Sequence, residues 1–342
     1  MMDRFAESSA ASCRQQPCDL CRGQNFALLA QTDRRGRPLD TCICRDCGLV
    51  SHVNIPSDSQ LEHFYREEYR QDYHGEETPS PRRVIRAWNV GRRLFSRLQP
   101  YVAPEDRLLE VGAGLGATVK QFELHGHEAR GLEPHTAFSH YSRDTLGADL
   151  QSGWLFDLPR NERWDVVLLV HVIEHFRSPR QALDYIRGLL RPEGRLYIEC
   201  PNLGAPFAPP GRCFHFAHIH NFTPATLAMM VERCGFAVER RFGAADDPNL
   251  MFLVRRTDKF SDFVDPTSFG QTMGALQRYN ALTYHLRPNY LWRRAQQVKR
   301  YLRERLHVER QLAEILAACR TAASPTAVPS SADEAARRRR AA

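Results

Sequence analysis

Between Asp106 and Thr257, short aliphatic and β-branched runs alternate with stretches whose apolar positions recur every three or four residues. The runs are DRLLEVGA, EARGLEP, WDVVLLV, GRLYIECP, GFAVERRFG and NLMFLVRR. Nearly continuous apolar runs suit strands covered on both faces. Their alternation with helical stretches predicts βαβ units around a mostly parallel sheet, an α/β nucleotide-binding architecture with helices on both faces. Upstream, SDSQLEHFYREEYRQDYHG carries an apolar stripe of Leu61, Phe64, Tyr65 and Tyr69 that predicts a helix capped by Ser57 or Ser59. TPSPRR breaks the pattern before a second amphipathic helix, VIRAWNVGRRLFSRLQPYV. After Lys259 the chain reads as helical. Leu291, Val298 and Leu312 keep heptad-compatible positions, but Arg305 and Glu309 interrupt the seam. A helix packed on its own domain, or against a second copy to form a homo-oligomer, is therefore predicted in place of a sustained coiled coil.

These changes of pattern divide the 342 residues into a cysteine-bearing module (1–57), a helical arm on the substrate side (58–100), the α/β domain (101–257), a helical extension (258–320) and a basic tail (321–342) with the composition of a disordered segment. Charge changes this picture little. The net charge is +7, yet Arg287 to the C-terminus carries 13 Lys/Arg against 5 Asp/Glu, a net +8, which leaves −1 for everything before it. A nearly neutral body with a basic tail argues against nucleic acid as the expected partner. The N-terminus lacks the apolar core of a secretory signal, and no stretch approaches the roughly 18 apolar residues of a membrane span. A cytoplasmic location is expected, so the ten cysteines read as metal ligands or buried hydrophobes before disulfides.

Cys18 and Cys21 form one C-x2-C pair and Cys44 and Cys47 another, 22 residues apart. Each pair can present two thiolates from a tight knuckle, and four thiolates complete the closed tetrahedral site of structural Zn2+. A zinc-ribbon-like module that holds shape and does no chemistry is predicted. Cys13, Cys200, Cys213, Cys234 and Cys319 read as isolated thiols.

LLEVGAGLGATV runs an apolar strand into Gly112, Ala113, Gly114 and Gly116 and then a helix. Small residues admit close backbone approach by a ligand, and the free N–H groups of a helix start offer donors. Glu110 lies two residues before the loop, where a carboxylate can face a cationic amino group. Glu133 ends the next strand, 21 residues after Gly112, where a carboxylate can accept two ribose hydroxyls.

With these residues the stretch from Leu108 to Arg256 resembles the class I S-adenosylmethionine-dependent methyltransferases. The resemblance implies a Rossmann-like fold, S-adenosyl-L-methionine as cofactor held by the Glu110 to Gly116 loop, Glu133 on the ribose, and Leu155, Phe156 and Asp157 of WLFDLP beside adenine. The dinucleotide dehydrogenase alternative would place the third glycine one residue later than Gly116. CDLC, CRDCGLV, the FYREEY helix and the methyltransferase core together resemble bacterial sugar C-methyltransferases and related glycan-cluster enzymes. Those enzymes carry a further C-terminal α/β domain that the region after Lys259 is too short to supply, which leaves O-methylation equally open.

An alcohol acceptor benefits from a base, and His171 follows the fourth strand with Glu174 and His175 one helical turn on. His171 is also expected beside the cofactor. The three resemble the E-x-x-E-H group that binds a divalent ion in quinone-biosynthesis O-methyltransferases, with His171 in place of the first carboxylate. That replacement argues against a hard-metal site and for a base or orienting role. FHFAHIHNFTPATLAMM adds His215, His218 and His220 before a helix capped by Thr223, and His220 is the first choice for the base. The reading is methyl transfer to a sugar or similar small hydroxylated acceptor. The alternative is a nucleic-acid methyltransferase or nucleic-acid-binding protein using the zinc module and the tail.

Overall fold

A computed structural model describes residues 14, 16–68, 78–206, 208–209 and 211–321. Cys13, Tyr69 and the basic tail lie outside them. The apolar runs become a seven-stranded sheet of β4 (Arg107–Val111), β5 (Glu128–Glu133), β6 (Leu150–Ser152), β7 (Trp164–Val170), β8 (Leu190–Pro201), β10 (Phe236–Phe242) and β11 (Asn249–Arg256), in the order β10-β11-β8-β7-β4-β5-β6. Strands β6, β5, β4, β7 and β8 pair in parallel, while β11 runs antiparallel to both of its neighbours. The strand order reverses between β4 and β7, where β4 goes on to β5 and β7 to β8. The C-terminal ends of those two strands therefore open a crevice, the place where open α/β sheets bind ligands.

Helix α2 (Pro81–Leu98) belongs to this core. Its buried face, including Val84, Ile85, Trp88, Leu94 and Leu98, packs against α3 (Ala117–Leu124), the helix that follows the glycine loop. Gly91 makes the contact close: a Cβ there would stand 2.7 Å from the Ala117 carbonyl oxygen. The expected upstream helix is short. The reciprocal bonds Gln60 N–H to Ser57 Oγ (3.3 Å) and Ser57 N–H to Gln60 Oε1 (2.8 Å) cap α1 (Asp58–His63), which widens into a π turn at Phe64–Glu68.

The cysteine module does not stand alone. Strands β1 (Phe26–Thr32), β2 (Pro38–Cys44) and β3 (Val50–His52) form an antiparallel sheet whose fourth strand, β9 (His220–Asn221), comes from the chain after β8. His52 Nε2 donates to the carbonyls of His215 and Phe216 at 3.0 and 3.1 Å. Asp19, inside the first knuckle, accepts from Ser178 Oγ (2.7 Å) and Arg180 N–H (2.9 Å) at the start of α5 (Pro179–Leu189). The module is thereby riveted beside the crevice.

At the other end, α9 (Pro288–Leu306) leads to α10 (Val308–Thr321). Ile315 and Cys319 of α10 bury themselves against Val84, Ile85 and Trp88 of α2. Leu291, Trp292 and Val298 of α9 stay exposed. No helix among the described residues is long and apolar enough to cross a membrane.

Candidate functional site

The glycine loop turns at three left-handed residues, Gly112 (φ +70°), Gly114 (+57°) and Gly116 (+65°). At Gly112 and Gly116 a side chain is excluded by space as well as by backbone: added Cβ atoms would lie 2.6 Å from Val172 Cγ2 and 2.4 Å from Ser142 Oγ. The N–H groups of Gly112 and Ala113 donate to the Leu132 carbonyl at 2.7 and 2.9 Å, fixing the loop against the end of β5. Glu133 then reaches back across the loop, its Oε2 accepting from Gly114 N–H at 2.8 Å and its Oε1 from His135 N–H at 3.2 Å.

Two cavities meet at this loop. The larger, about 1240 Å³, is lined by Glu110, Gly112 to Leu115, Val170 and His171, with Arg82, Arg86 and Arg310 along its side. The smaller, about 240 Å³, runs from Glu133, Pro134 and Leu155 past Trp154 to Tyr65 and His175.

Glu110 is 5 % exposed, and its Oε2 has no hydrogen-bond partner among the described residues. Burial, reinforced by the charge of Glu133 and opposed by a hydrogen bond from Thr118, pushes its carboxyl up to about 8. A buried carboxylate oxygen without a donor suits a cationic group delivered by a ligand. Together with a loop in which Gly112 and Gly116 leave no room for a Cβ and a carboxylate at the end of β5, these residues fit the amino-acid and ribose portions of S-adenosylmethionine.

The adenine side differs in part from expectation. Leu155 lines the cavity, but Phe156 turns into the core, its ring 5.3 Å from that of Tyr185, and Asp157 closes its own turn by accepting from Trp154 N–H at 2.9 Å. Trp154 and Tyr65, whose ring centroids are 5.8 Å apart, take the wall instead. From the sequence Tyr65 reads as a member of a helical stripe and, with Tyr69, as a reserve group for the transfer should the histidines prove structural, and Trp154 is not singled out. The available signal was an aromatic residue directly after a short strand, on the chain leading into the adenine segment.

His171, Glu174 and His175 converge, though not on an α-helix. His171 sits in the left-handed region (φ +55°) with its N–H bonded to the Glu199 carbonyl at 2.7 Å, and Ile173–His175 is a single 3-10 turn. The α-helix waits until Pro179 because Ser178 caps it there. A non-glycine residue at positive φ is uncommon and concentrates at functional sites. His171 Nδ1 lies 3.4 Å from Glu174 Oε1, with the imidazole 45 % exposed and the carboxylate 1 %. Partial burial opposes charge on His171, but the hydrogen bond and charge of Glu174, with Glu199, raise its pKa above the ordinary histidine value. Burial likewise works against the Glu174 charge, yet His171 and the surrounding imidazoles hold it down at about 2.

His220 is not brought to either cavity. It is fully buried in β9, where its Nε2 donates to the Arg177 carbonyl at 3.1 Å and burial pulls its pKa down to about 4. Its place in a sheet seam, with Nε2 bonded to backbone and Nδ1 buried without a hydrogen-bond partner among the described residues, makes it a joint between the module and the crevice loop. The residue expected as the base therefore lies apart from both cavities. Cys200 is also buried, which pushes its thiol up and leaves it unsuited to nucleophilic attack.

The sulfurs of Cys18, Cys21, Cys44 and Cys47 lie within 4.8 Å of one another, with Cys18–Cys47 at 3.6 Å and Cys21–Cys44 at 3.5 Å. Disulfide bonds would bring pairs to ~2.05 Å. A zinc ion with ~2.3 Å bonds sets tetrahedral sulfur separations of ~3.8 Å, close to those found. Gly48 follows the second knuckle in the left-handed region (φ +75°), and Gly23 N–H points to Cys21 Sγ at 3.4 Å. Cys42, also buried, is outside the cluster.

Residues 82–240 match the model of a methyltransferase-domain family. Over 199 residues the chain is 26 % identical to the tRNA U34 carboxymethyltransferase of Aeromonas hydrophila subsp. hydrophila, covering 51 % of this chain and 59 % of that protein. It is 27 % identical over 101 residues to the ubiquinone biosynthesis O-methyltransferase of Rhodopseudomonas palustris, covering 28 % and 40 %. Among solved structures, magnesium protoporphyrin IX methyltransferase from Synechocystis with bound SAH aligns with a TM-score of 0.44 at 13 % identity, covering 59 % of this chain and all of that one. The chain thus spans about three-fifths of the tRNA enzyme's length and two-fifths of the quinone enzyme's.

Proposed function

We propose that this chain, whose residues 82–240 form a methyltransferase domain, is an enzyme that transfers a methyl group from S-adenosylmethionine to a hydroxyl of a small acceptor such as a sugar. The observation that carries the reading is the buried, unpartnered Oε2 of Glu110 at one side of a left-handed glycine loop, with Glu133 at the other and a cavity running on to His171 and His175. Glu110 would hold the amino group, Glu133 the ribose, and Leu155 with Trp154 the base. Bound there, S-adenosylmethionine would supply an electrophilic methyl on a sulfonium leaving group.

The chain's own work is orientation and proton handling. An acceptor hydroxyl in the larger cavity would meet the imidazole of His171, which lines both cavities and takes its proton, while Glu174 stabilises the resulting imidazolium. Tyr65 and Trp154 give the smaller cavity an aromatic wall that suits the adenine ring. The four cysteines would bind one structural zinc, which keeps the module and, through Asp19, the start of α5 in place.

A second reading has its own support. The tRNA in the names of several relatives, and the guanidinium groups of Arg82, Arg86 and Arg310 beside the cofactor cavity, favour a phosphate-bearing acceptor. Nucleic acid is therefore restored as a partner to be tested, against the expectation from charge distribution. The test is methyl incorporation from labelled S-adenosylmethionine in separate arms containing nucleotide sugars and bulk tRNA. Label in the sugar arm supports the first reading and label in tRNA the second. Failure to bind S-adenosylhomocysteine would refute both.

A further inference from the structure

Eight large apolar side chains among the described residues are exposed, and they are not scattered. Six of them, Leu282, Leu286, Leu291, Trp292, Val298 and Tyr301, fall within 20 residues of chain, on α8 (Ala281–His285), its C-cap and α9. Single exposed apolar residues are ordinary on a protein surface, whereas a concentration of them marks an interaction site. On α9 the pattern is ordered. Leu291, Ala295 and Val298 follow i, i+4, i+7 and make one aliphatic stripe along the helix. Each flank of the stripe carries one aromatic residue and one cation seven positions apart: Trp292 with Lys299 on one side, Tyr301 with Arg294 on the other. The Tyr301 ring lies 6.0 Å from the guanidinium carbon of Arg82, so that flank meets the body at the start of α2. The stripe itself stays in solvent, with Leu291 57 % and Val298 59 % exposed. Pro288–Leu306 also holds six Lys/Arg against one Glu, a net +5.

We propose that α9 docks this protein on an anionic lipid bilayer, lying in the plane of the headgroups without crossing the membrane. Its stripe and Trp292 enter the boundary between headgroups and acyl chains, and the flanking Lys299 and Arg294 extend outward to lipid phosphates. Charge decides among the candidate occupants. A second copy of α9 laid on the first would set +5 against +5, and like charges across an interface work against association. Nucleic acid would reward the cations, but its phosphates offer nothing to Leu282, Leu286, Leu291 and Val298. The body of the protein does not cover the stripe either, because α10 turns back onto α2 through Ile315 and Cys319 and leaves α9 outside. An anionic bilayer satisfies both the apolar stripe and the positive charge, and an indole at the stripe's edge suits the interface between them. The consequence reaches the cavity. Helix α9 leads directly into His307, Val308, Glu309 and Arg310, which line the larger cavity, so docking would hold that cavity at the membrane surface, within reach of an acceptor carried on a lipid.

The test is independent of methyl transfer. Full-length protein is sedimented with vesicles of phosphatidylglycerol or of phosphatidylcholine. Binding to the anionic vesicles is expected to be ~10-fold tighter or more, and to weaken as salt is raised. Trp292 fluorescence should move to shorter wavelength on adding the anionic vesicles, a shift missing from Trp292→Phe. The double variant Leu291→Glu/Val298→Glu puts carboxylates into the stripe while the basic tail stays in place. It should bind anionic vesicles ~10-fold more weakly or worse. Its Tm should match the parent's, since both positions are exposed, and this certifies the fold. The proposal is overturned if the parent does not sediment with anionic vesicles, or if the double variant binds them as the parent does. It is equally overturned if analytical ultracentrifugation without lipid finds a dimer that the double variant abolishes, because a second copy then covers the stripe. RNA that shifts Trp292 fluorescence where anionic vesicles do not would assign the helix to nucleic acid and overturn it too.

Discussion

Replacing Glu110 by Gln should make the protein more stable and its cofactor pocket worse. The carboxyl is held at about 8 in the folded chain, against an ordinary 4.5. The sign follows from that direction. Below about pH 4.5 the group is neutral in both folded and unfolded chains and costs nothing. As pH rises toward 8 the unfolded chain gives up the proton while the folded chain retains it, so stability is lost across that window and the loss levels off above about 8. At pH 7 the full shift corresponds to ~3 kcal/mol, and local relaxation reduces the expected gain from Glu110→Gln to ~1 to 3 kcal/mol. For a chain of this size that is an increase in Tm of roughly 1 to 4 °C, nearly absent at pH 4.5 and growing toward pH 8. Differential scanning calorimetry across that range reads it directly. Calorimetric titration with S-adenosylhomocysteine supplies the other half. A ligand ammonium placed on Glu110 drives its ionisation, so parent binding should release up to one proton near pH 7 and tighten as pH rises to about 8. The variant should bind at least tenfold more weakly and release no proton from this site. A Glu110→Gln protein with unaltered Tm at every pH and parental affinity would show that the carboxylate is neither strained nor used.

Glu133→Ala should lower S-adenosylhomocysteine affinity roughly tenfold or more, because charged hydrogen bonds contribute ~1.5 to 3 kcal/mol each; surface plasmon resonance would suffice, and equal affinity would reject the ribose assignment. His171→Gln should spare cofactor binding and lower turnover by ~10²-fold, and the acid limb of the parent rate profile, set above the ordinary histidine pKa, should vanish with it. His220→Ala should instead lower Tm by several degrees while folded enzyme keeps near-parental kcat; a large fall in kcat with unchanged Tm would return the base to this position. Metal analysis should find zinc in the parent and none at the thiolate site of Cys44→Ser/Cys47→Ser, whose N-terminal lobe should become protease-sensitive.

Much of this protein is legible in its sequence because the relevant physics is local. Continuous apolar runs specified strands β4, β5, β7, β8, β10 and β11, and glycines at positions of positive φ marked the loop, where Gly112 and Gly116 leave no room for a Cβ. Spacing within two short segments placed four sulfurs for one tetrahedral ion. Strand β9 was invisible, since two residues carry no periodicity and exist as a strand only because β3 offers them an edge. The same pairing took His220 out of the chemistry: a histidine before a capped helix looks available until the sheet seam that buries it is known. Glu174, His175 and His218 meet because the 3-10 turn after β7 and the loop before β9 fold against one another, 43 residues separating the last two. Which polar atoms are left facing each other in a buried space is decided by long-range packing, and a linear pattern cannot encode it.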